Sequence, residues 1–333
     1  MGNVAGMDQR RLGNSDIDVS RVILGCGSFG GIGTAPAFFG QGTSKHEAFA
    51  LMDAAWDAGV TTFDTADAYG GGRSETFIGE WLATKGTAIR DRIVIATKTY
   101  NPMDDGADHG LSAARIARQL ETSLTRLGVE RVAMYLAHAF DPEVPLEETQ
   151  SAFDELIRVG KIGAVGASNF TDAQLNEALD SSARATQGRY QWVQNSFSLL
   201  ERGDASSVIK RCEAEGLVYT PFSPLAGGWL TGKYRRGQAP PAGSRMTLRP
   251  EPYEAYRTDA VFDALEGLEA LAVEHGMTMT VLALSWALAQ PGLTAIVVGP
   301  GRLDHLRPAL VASESPLTPD LANHIAELFS WPS

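Results

Sequence analysis

The chain has 333 residues, 35 of them glycine, and 44% of it is hydrophobic. That apolar fraction is ordinary for a globular protein and excludes wholesale disorder, a collagen-like repeat and a continuous coiled coil. Twenty-eight basic against 40 acidic side chains leave a net charge of −12, which argues against a nucleic-acid or anionic-membrane surface while leaving room for a local basic site. Cys26 and Cys212 offer neither a disulfide framework nor metal-ligand spacing and read as free thiols in a reducing compartment. The longest apolar stretch, Val281 to Ala289, is interrupted by Ser285 and falls short of the ~20 residues of a membrane span. The start, MGNVAGMDQRRLG, has no apolar core for a signal peptide, and Gly6 stands where a myristoylation signal wants Ser or Thr. A cytoplasmic protein without metal, nucleic-acid or membrane partners is expected. Its helices show no extra apolar stripe that would fix an oligomeric state.

In chain order, Arg11 to Ser20 reads as a small hairpin turning at Gly13–Asp16, placed to plug the bottom of whatever follows. Short β-like runs then recur at Val22–Leu24, Val60–Phe63, Ile93–Ala96, Val132–Leu136, Ile162–Ala167, Trp192–Val193, Leu217–Thr220 and Ala295–Val298. Helical segments separate them. Ser44 with Glu47, and Thr171 with Gln174, read as capping boxes. Ser112–Leu127 and Glu147–Val159 are amphipathic stretches, each ended by a glycine, at 128 and 160. Asp259–His275 and Met277–Ala289 make a helix pair before the last strand.

Eight strand–helix alternations with no break in composition predict a (β/α)₈ barrel as one domain over residues 1–333, the barrel proper spanning about 20–312. Two segments exceed a minimal barrel, Gly30–Thr43 and Ala226–Arg257. Both follow strands, so both are expected as long loops on the catalytic face.

Gly25-Cys-Gly-Ser-Phe-Gly30 matches the G-x-G-x-x-G of dinucleotide-binding folds, whose glycines work because a helix starts at once and aims its amides at a pyrophosphate. Here Gly31 to Pro36 cannot start that helix, so a close-turning strand end is expected instead. No Lys has a Tyr four residues before it, which removes the Tyr-x-x-x-Lys arrangement as well.

In a barrel the strand ends converge on one mouth. Strand two ends in Phe63 to Gly70, strand three in Ala96 to Lys98 and strand four in Tyr135 to His138, which gathers Asp64, Tyr69, Lys98 and His138. The set has a chemical purpose. A Lys ammonium draws down the pKa of a neighbouring phenol, a carboxylate holds the Lys in place, and a neutral imidazole hydrogen-bonds a carbonyl. The expected outcome is a Tyr acid that protonates a carbonyl oxygen while hydride reaches the carbon. Paired carboxylates, Asp64 with Asp67, are the alternative chemistry of a barrel glycoside hydrolase, which leaves Lys98 without a role.

The residues carrying that chemistry resemble the aldo-keto reductase family over about residues 10–312. The matching pieces are Arg11-Leu-Gly13, Leu24-Gly25, Phe63 to Ala66 with Tyr69-Gly70, Ala96 to Lys98, His138, Gly166 to Phe170, Gln194-Asn195 with Leu199 to Arg202, and Ser223 to Tyr234. The resemblance is strongest to the bacterial and potassium-channel β-subunit-like branches. It implies Tyr69 as general acid/base, Lys98 and Asp64 as its tuning pair, and His138 as the group that orients the carbonyl. It further implies that Ser168, Asn169 and Gln194 hold a nicotinamide carboxamide, that Phe222 stacks on the ring, and that Ser223, Leu225, Gly227, Lys233 and Arg245 cradle the phosphates.

After the last strand the family pattern is broken. Gly301 stands at the usual Arg or Ser position, His305 at a Gln position and Ala309 at an Asn position. Gly299, Arg302 and His305 are expected at the adenosine end, and Arg302 suits a 2′-phosphate. The cofactor expected is therefore NADP(H). Phe29 and Trp229, with Phe38, Phe39 and Trp192, are candidates for an apolar wall of the substrate pocket. A small-molecule aldehyde or ketone is the expected substrate. A cofactor-binding regulatory barrel with slow or vestigial turnover is the alternative the resemblance allows.

Overall fold

The computed structural model describes residues 6–103, 108–185 and 189–330; the Met-Gly start lies outside them. Strands β1 (Gln9–Arg11) and β2 (Asp18–Ser20) form the antiparallel hairpin. Eight more strands make one parallel sheet: β3 (Val22–Gly25), β4 (Thr62–Asp64), β5 (Val94–Thr99), β6 (Val132–Ala137), β7 (Ile162–Ser168), β8 (Trp192–Gln194), β9 (Val218–Tyr219) and β10 (Ile296–Val298). Their order is β10-β3-β4-β5-β6-β7-β8-β9. The Thr294 amide donates to the Tyr219 carbonyl at 2.9 Å and Val297 to Pro221 at 2.8 Å, so the two edges of the sheet meet. Eight parallel strands joined edge to edge are consistent with a (β/α)₈ barrel.

Helices α1 (Lys45–Asp57), α2 (Arg73–Ala83), α3 (Thr87–Arg90), α4 (Ala113–Leu127), α5 (Leu146–Arg158), α6 (Asp172–Ala185) and α7 (Val208–Glu215) fill the crossovers. The remainder is α8 (Arg245–Leu248), α9 (Asp259–Glu274), α10 (Met279–Ala289), α11 (Leu303–Ser313) and α12 (Pro319–Leu328). The capping box of α1 forms, Ser44 accepting from the Glu47 amide while Glu47 accepts from the Ser44 amide. Thr171 and Gln174 exchange the same two bonds ahead of α6. Gly128 closes α4 in the left-handed conformation, φ 64°, that a Cβ would disfavour. The two long loops contain only short turns, at Pro36–Phe38 in the first and at Ala226–Thr231, α8 and Glu251–Tyr256 in the second. Among the described residues no single helix is long and apolar enough to cross a membrane. Both cysteines are free and buried.

The period of two along each strand sorts the core. Ile23, Ala96, Met134, Leu136, Ala164, Trp192, Val218 and Val297 pack inside the sheet, where Leu12 and Val19 of the hairpin join them from below. Leu24, Phe63, Ile95, Tyr135, Ala137, Val165 and Val193 belong to the cluster shared with the helices. On β5 this places Lys98 in phase with Ala96, toward the interior, and Thr97 and Thr99 in phase with Ile95, toward the helices. Asp64, His138, Ser168, Gln194 and Phe222 have interior phase at the carboxyl ends of their strands.

Candidate active site

Four side chains meet at that end. The Lys98 ammonium donates to both oxygens of Asp64 at 2.7 Å and to the Thr65 carbonyl at 2.9 Å, and Lys98 is fully buried. It lies 5.1 Å from the centre of the Tyr69 ring and interacts with the phenol. The Tyr69 and His138 rings meet edge to face at 5.5 Å. Asp64 also accepts from the Gln194 amide at 3.0 Å.

The glycines explain how the phenol reaches this place. Tyr69 is followed by Gly70, Gly71 and Gly72, at φ 59°, 67° and 87°, which turn the chain sharply into α2. A Cβ on Gly27 would lie 3.5 Å from the Tyr69 ring, and one on Gly31 would meet Gly70 Cα at 2.5 Å. Thus the G-x-G-x-x-G run serves as close packing for the tyrosine segment. No α-helix follows it until Lys45.

Burial raises the Tyr69 phenol, Lys98 lowers it and Asp64 raises it, and the net direction is upward. The expected downward pull of Lys98 is present but is outweighed by burial, so Tyr69 is a protonated acid at neutral pH. Burial lowers Lys98, but Asp64 and then Tyr69 raise it, and the ammonium is held above its ordinary value. Burial and then Lys98 push His138 well below the ordinary imidazole range, so it is neutral. His138 Nδ1 is buried without a hydrogen-bond partner, which makes it the unprotonated nitrogen and leaves the N–H on Nε2, because a buried N–H without an acceptor is costly.

A second group of residues continues across the mouth. The Ser168 hydroxyl donates to the Gln194 carbonyl at 2.7 Å and the Asn169 amide to the His138 carbonyl at 2.8 Å. Asn169, Ser223 and Ala226 have φ of 58°, 55° and 47°, uncommon for residues with a Cβ, and Gly227 and Gly228 extend the left-handed run at 64° and 96°. Leu225 and Phe222 are half-buried beside them. Successive turn amides of this kind make a concave, anion-accepting backbone. Lys233 lies over Gly228, where a Cβ would occupy the place of its ammonium, and the Tyr253 ring lies over Gly227.

Burial, Arg245 and Arg302 hold Lys233 below its ordinary value, and burial and Arg249 lower Arg245. Among the described residues no carboxylate pairs with Lys233 or Arg245, and the neighbouring Ser244 hydroxyl is buried without a partner. Arg302 bonds Asp304 at 3.1 Å and its guanidinium donates to His305 Nε2 at 3.1 Å. Burial and Arg302 keep His305 below the usual imidazole value. Gly299 faces Gly25 across the β10–β3 junction.

Three aromatic residues expected at the pocket wall are buried. Phe29 is fully buried in the core, and Trp192 is fully buried inside the sheet with its Nε1 donating to Thr220. Trp229 is 2% exposed and packs on Tyr234, Tyr256 and Phe262. It borders a cavity of about 380 Å³ that none of the four mouth residues lines. Large aromatics after a strand satisfy packing first, which draws them away from an open wall. Asp67 does not pair with Asp64. It is buried on the helix side, accepting from Thr99 at 2.7 Å, so the paired-carboxylate arrangement is absent.

The sequence reading had no place for Thr97, Thr99, Glu75, Arg115 and Arg126, which join Asp67 in a polar layer behind the mouth. The signal available was the phase of β5, since residues on either side of Lys98 must face the helices.

Comparison with known proteins agrees with this architecture. The model of the aldo/keto reductase family matches residues 21–329. An uncharacterized oxidoreductase of Bacillus subtilis, YrpG, is 35% identical over 98% of this chain and 97% of its own. A probable voltage-gated potassium channel subunit beta of rice is 32% identical over 88% of this chain and 87% of its own. Versiconal hemiacetal acetate reductase of Aspergillus parasiticus is 29% identical, covering 96% of both chains. A parallel sheet of this order, closed edge to edge, is the scaffold of an α/β barrel protein. The chain belongs to the aldo/keto reductase family.

Proposed function

We propose that the protein is an NADP(H)-dependent reductase of aldehydes or ketones, built as one barrel domain with its long loops on the catalytic face. The observation that carries this reading is the meeting of Tyr69, Lys98, Asp64 and His138 at one end of the sheet, with Lys98 bonded to Asp64 and lying against the Tyr69 ring. A bound reduced nicotinamide would supply the hydride. The Tyr69 hydroxyl gives its proton to the carbonyl oxygen as that oxygen gains charge, and Lys98 stabilises the phenolate left behind. Asp64 keeps Lys98 charged and aimed. His138 Nε2–H donates to the same oxygen and fixes the carbonyl over the phenol.

The residues present fit the cofactor. The left-handed run through Ser223 and Gly227 suits a pyrophosphate, and the uncompensated Lys233 and Arg245 suit a phosphate dianion. Arg302 extends that positive end, with His305 beside it, which favours a 2′-phosphate and hence NADP(H). Ser168, Asn169 and Gln194 would hold the carboxamide of a bound nicotinamide, and Phe222 would back its ring. Gln194 also braces Asp64, a second task for its amide.

The similarity to a channel subunit supports a second reading, a regulatory barrel that binds cofactor and turns over slowly. One assay separates the two. With purified protein, NADPH absorbance is followed with and without an aromatic aldehyde, and NADPH binding is measured by fluorescence. Aldehyde-dependent consumption at ordinary enzyme rates is the expected result; tight binding without turnover favours the regulatory barrel.

A further inference from the structure

Behind the mouth, the segment that carries Tyr69 and the strand that carries Lys98 are tied together twice. The backbone ladder continues past β4, the Thr65 amide donating to Ala96 at 2.8 Å and the Asp67 amide to Lys98 at 3.0 Å. Side chains then repeat the tie on the helix side. The Thr99 hydroxyl donates to Asp67 Oδ2 at 2.7 Å, and the Thr97 hydroxyl donates to Glu75 Oε1 at 2.6 Å. These threonines flank Lys98, and the two acids flank Tyr69. Asp67 and Glu75 are both fully buried.

Helix α4 completes each tie. Arg115 donates to the Thr99 hydroxyl at 2.8 Å and to the carbonyls of Gly110 and Asn101 at 3.0 and 2.8 Å. Arg126 donates to Glu75 at 3.1 Å and lies over Gly72, where a Cβ would meet its Cζ at 2.6 Å. A merely structural ion pair would need one acid and one base. Here two acids on one short segment reach two hydroxyls on either side of a single lysine, a spacing that fixes one segment against one strand in both directions.

We propose that Asp67 and Glu75 are positioning residues, a two-point clamp that holds the Tyr69 phenol against the Lys98 ammonium. The proposal rests on the reading of Tyr69 as the proton donor. Neither acid touches the mouth; each acts through the threonine it binds. With the clamp closed, Tyr69 and Lys98 keep one separation through the catalytic cycle. With one tie cut, the glycine-rich turn after Tyr69 lets the phenol drift, and a displacement of about 1 Å at a reacting group costs up to a hundredfold in rate.

The test uses the full chain and the NADPH–aldehyde assay, with Thr99→Val, Asp67→Ala, Asp67→Asn and the double variant Asp67→Ala/Thr99→Val. Asp67→Ala and Thr99→Val are each expected to lower kcat by about ten- to a hundredfold, with NADPH affinity unchanged. The double variant should be no slower than the worse single one, because both cut the same tie. Asp67→Asn offers Thr99 the same acceptor and should restore most of the turnover. In the variants with a cut tie the alkaline limb of kcat should move to higher pH, since Lys98 then lowers the phenol less. Wild-type kcat and an unmoved limb in Thr99→Val overturn the clamp, as does an Asp67→Asn no better than Asp67→Ala. Should Asp67→Ala fail to fold, Thr99→Val carries the test alone, a methyl replacing a hydroxyl of the same shape. Tyr69→Phe, run beside them, separates the two ideas. If it is inactive while the clamp variants are normal, the clamp alone falls; if it keeps full turnover, the proton donor is misassigned and the clamp falls with it.

Discussion

The mouth and the phosphate end of the proposed cofactor strip are built on opposite terms. At the mouth the charges are already matched, Lys98 bonding Asp64 and Thr65, Gln194 bracing Asp64, and all of them buried. At the phosphate end the charges are not matched. Lys233 is crowded by Arg245 and Arg302 and Arg245 by Arg249, a hydroxyl is orphaned at Ser244, and the backbone runs through left-handed angles at Ser223 and Ala226. A site that must stabilise a transition state gains from being rigid and charge-matched beforehand. One that must capture a dianion gains from leaving its donors unspent, because the ligand then supplies the compensation the protein lacks.

The largest effect is expected where the mouth is broken without touching the strip. Tyr69→Phe keeps the ring and its packing on Gly27 but removes the proton, and should lower kcat by roughly 10²–10⁴-fold. NADPH affinity should stay at the wild-type value by fluorescence titration, and a matching loss of affinity would erase the distinction between the regions. The converse experiment is Arg245→Ala. Losing a charged hydrogen-bond donor to phosphate costs about 1.5–3 kcal/mol, roughly ten- to a hundredfold in NADPH Kd. At saturating NADPH its kcat should be that of the wild type. NADH affinity should fall less than NADPH affinity if the arginine meets the 2′-phosphate.

The buried acid behind the mouth gives a smaller, pH-dependent effect. Burial and the neighbouring Glu75 push Asp67 up to about 7, against the opposing pull of Thr99 and Arg115. The folded chain therefore holds this proton more tightly than the unfolded one. The associated stability is complete below the ordinary carboxylate range and is lost as pH rises toward about 7. Asp67→Asn cannot ionise, so its advantage over the wild type should open between pH 5 and pH 8, by up to about 2 kcal/mol. Urea unfolding at the two pH values measures it. An unchanged gap would mean that Asp67 is ionised throughout.

Why the mouth was legible and the layer behind it was not follows from what spacing encodes. Strand ends can be counted, so Asp64, Lys98 and His138 were recoverable from three β-like runs, and Tyr69 from its place five residues beyond Asp64 on the same segment. The hairpin, the capping boxes of α1 and α6 and the glycine stops were equally local and formed where expected. Thr97 and Thr99 look like ordinary strand residues until their phase relative to Lys98 is considered. Arg115 and Arg126 lie eleven residues apart, three helical turns, Arg115 buried and Arg126 partly so, where charge is tolerated only with partners. Arg115 finds its partners on β5 and the loop after it, and Arg126 finds Glu75 on α2; no local pattern reveals the approach of α2. The same limit hid how deeply Phe29, Trp192 and Trp229 are buried. A sequence shows that an aromatic follows a strand but not whether the neighbouring loop folds over it.

The smallest effect should come from Arg302, and it bears most directly on how the phosphate end discriminates. Its side chain is 67% exposed and already engaged with Asp304, also 67% exposed, and with His305. To meet a 2′-phosphate it must exchange one anion for another in high dielectric, and exposed pairs of this kind contribute about 0–1 kcal/mol. Arg302→Ala should therefore weaken NADPH binding only by about two- to fivefold, and added salt should shrink the difference further. Asp304→Asn frees the guanidinium from its competitor and should tighten NADPH slightly while leaving NADH unchanged. A loss in Arg302→Ala as large as that in Arg245→Ala would shift the weight of phosphate recognition from the buried cations to the exposed one, and with it the contrast between a charge-matched mouth and an unmatched cradle.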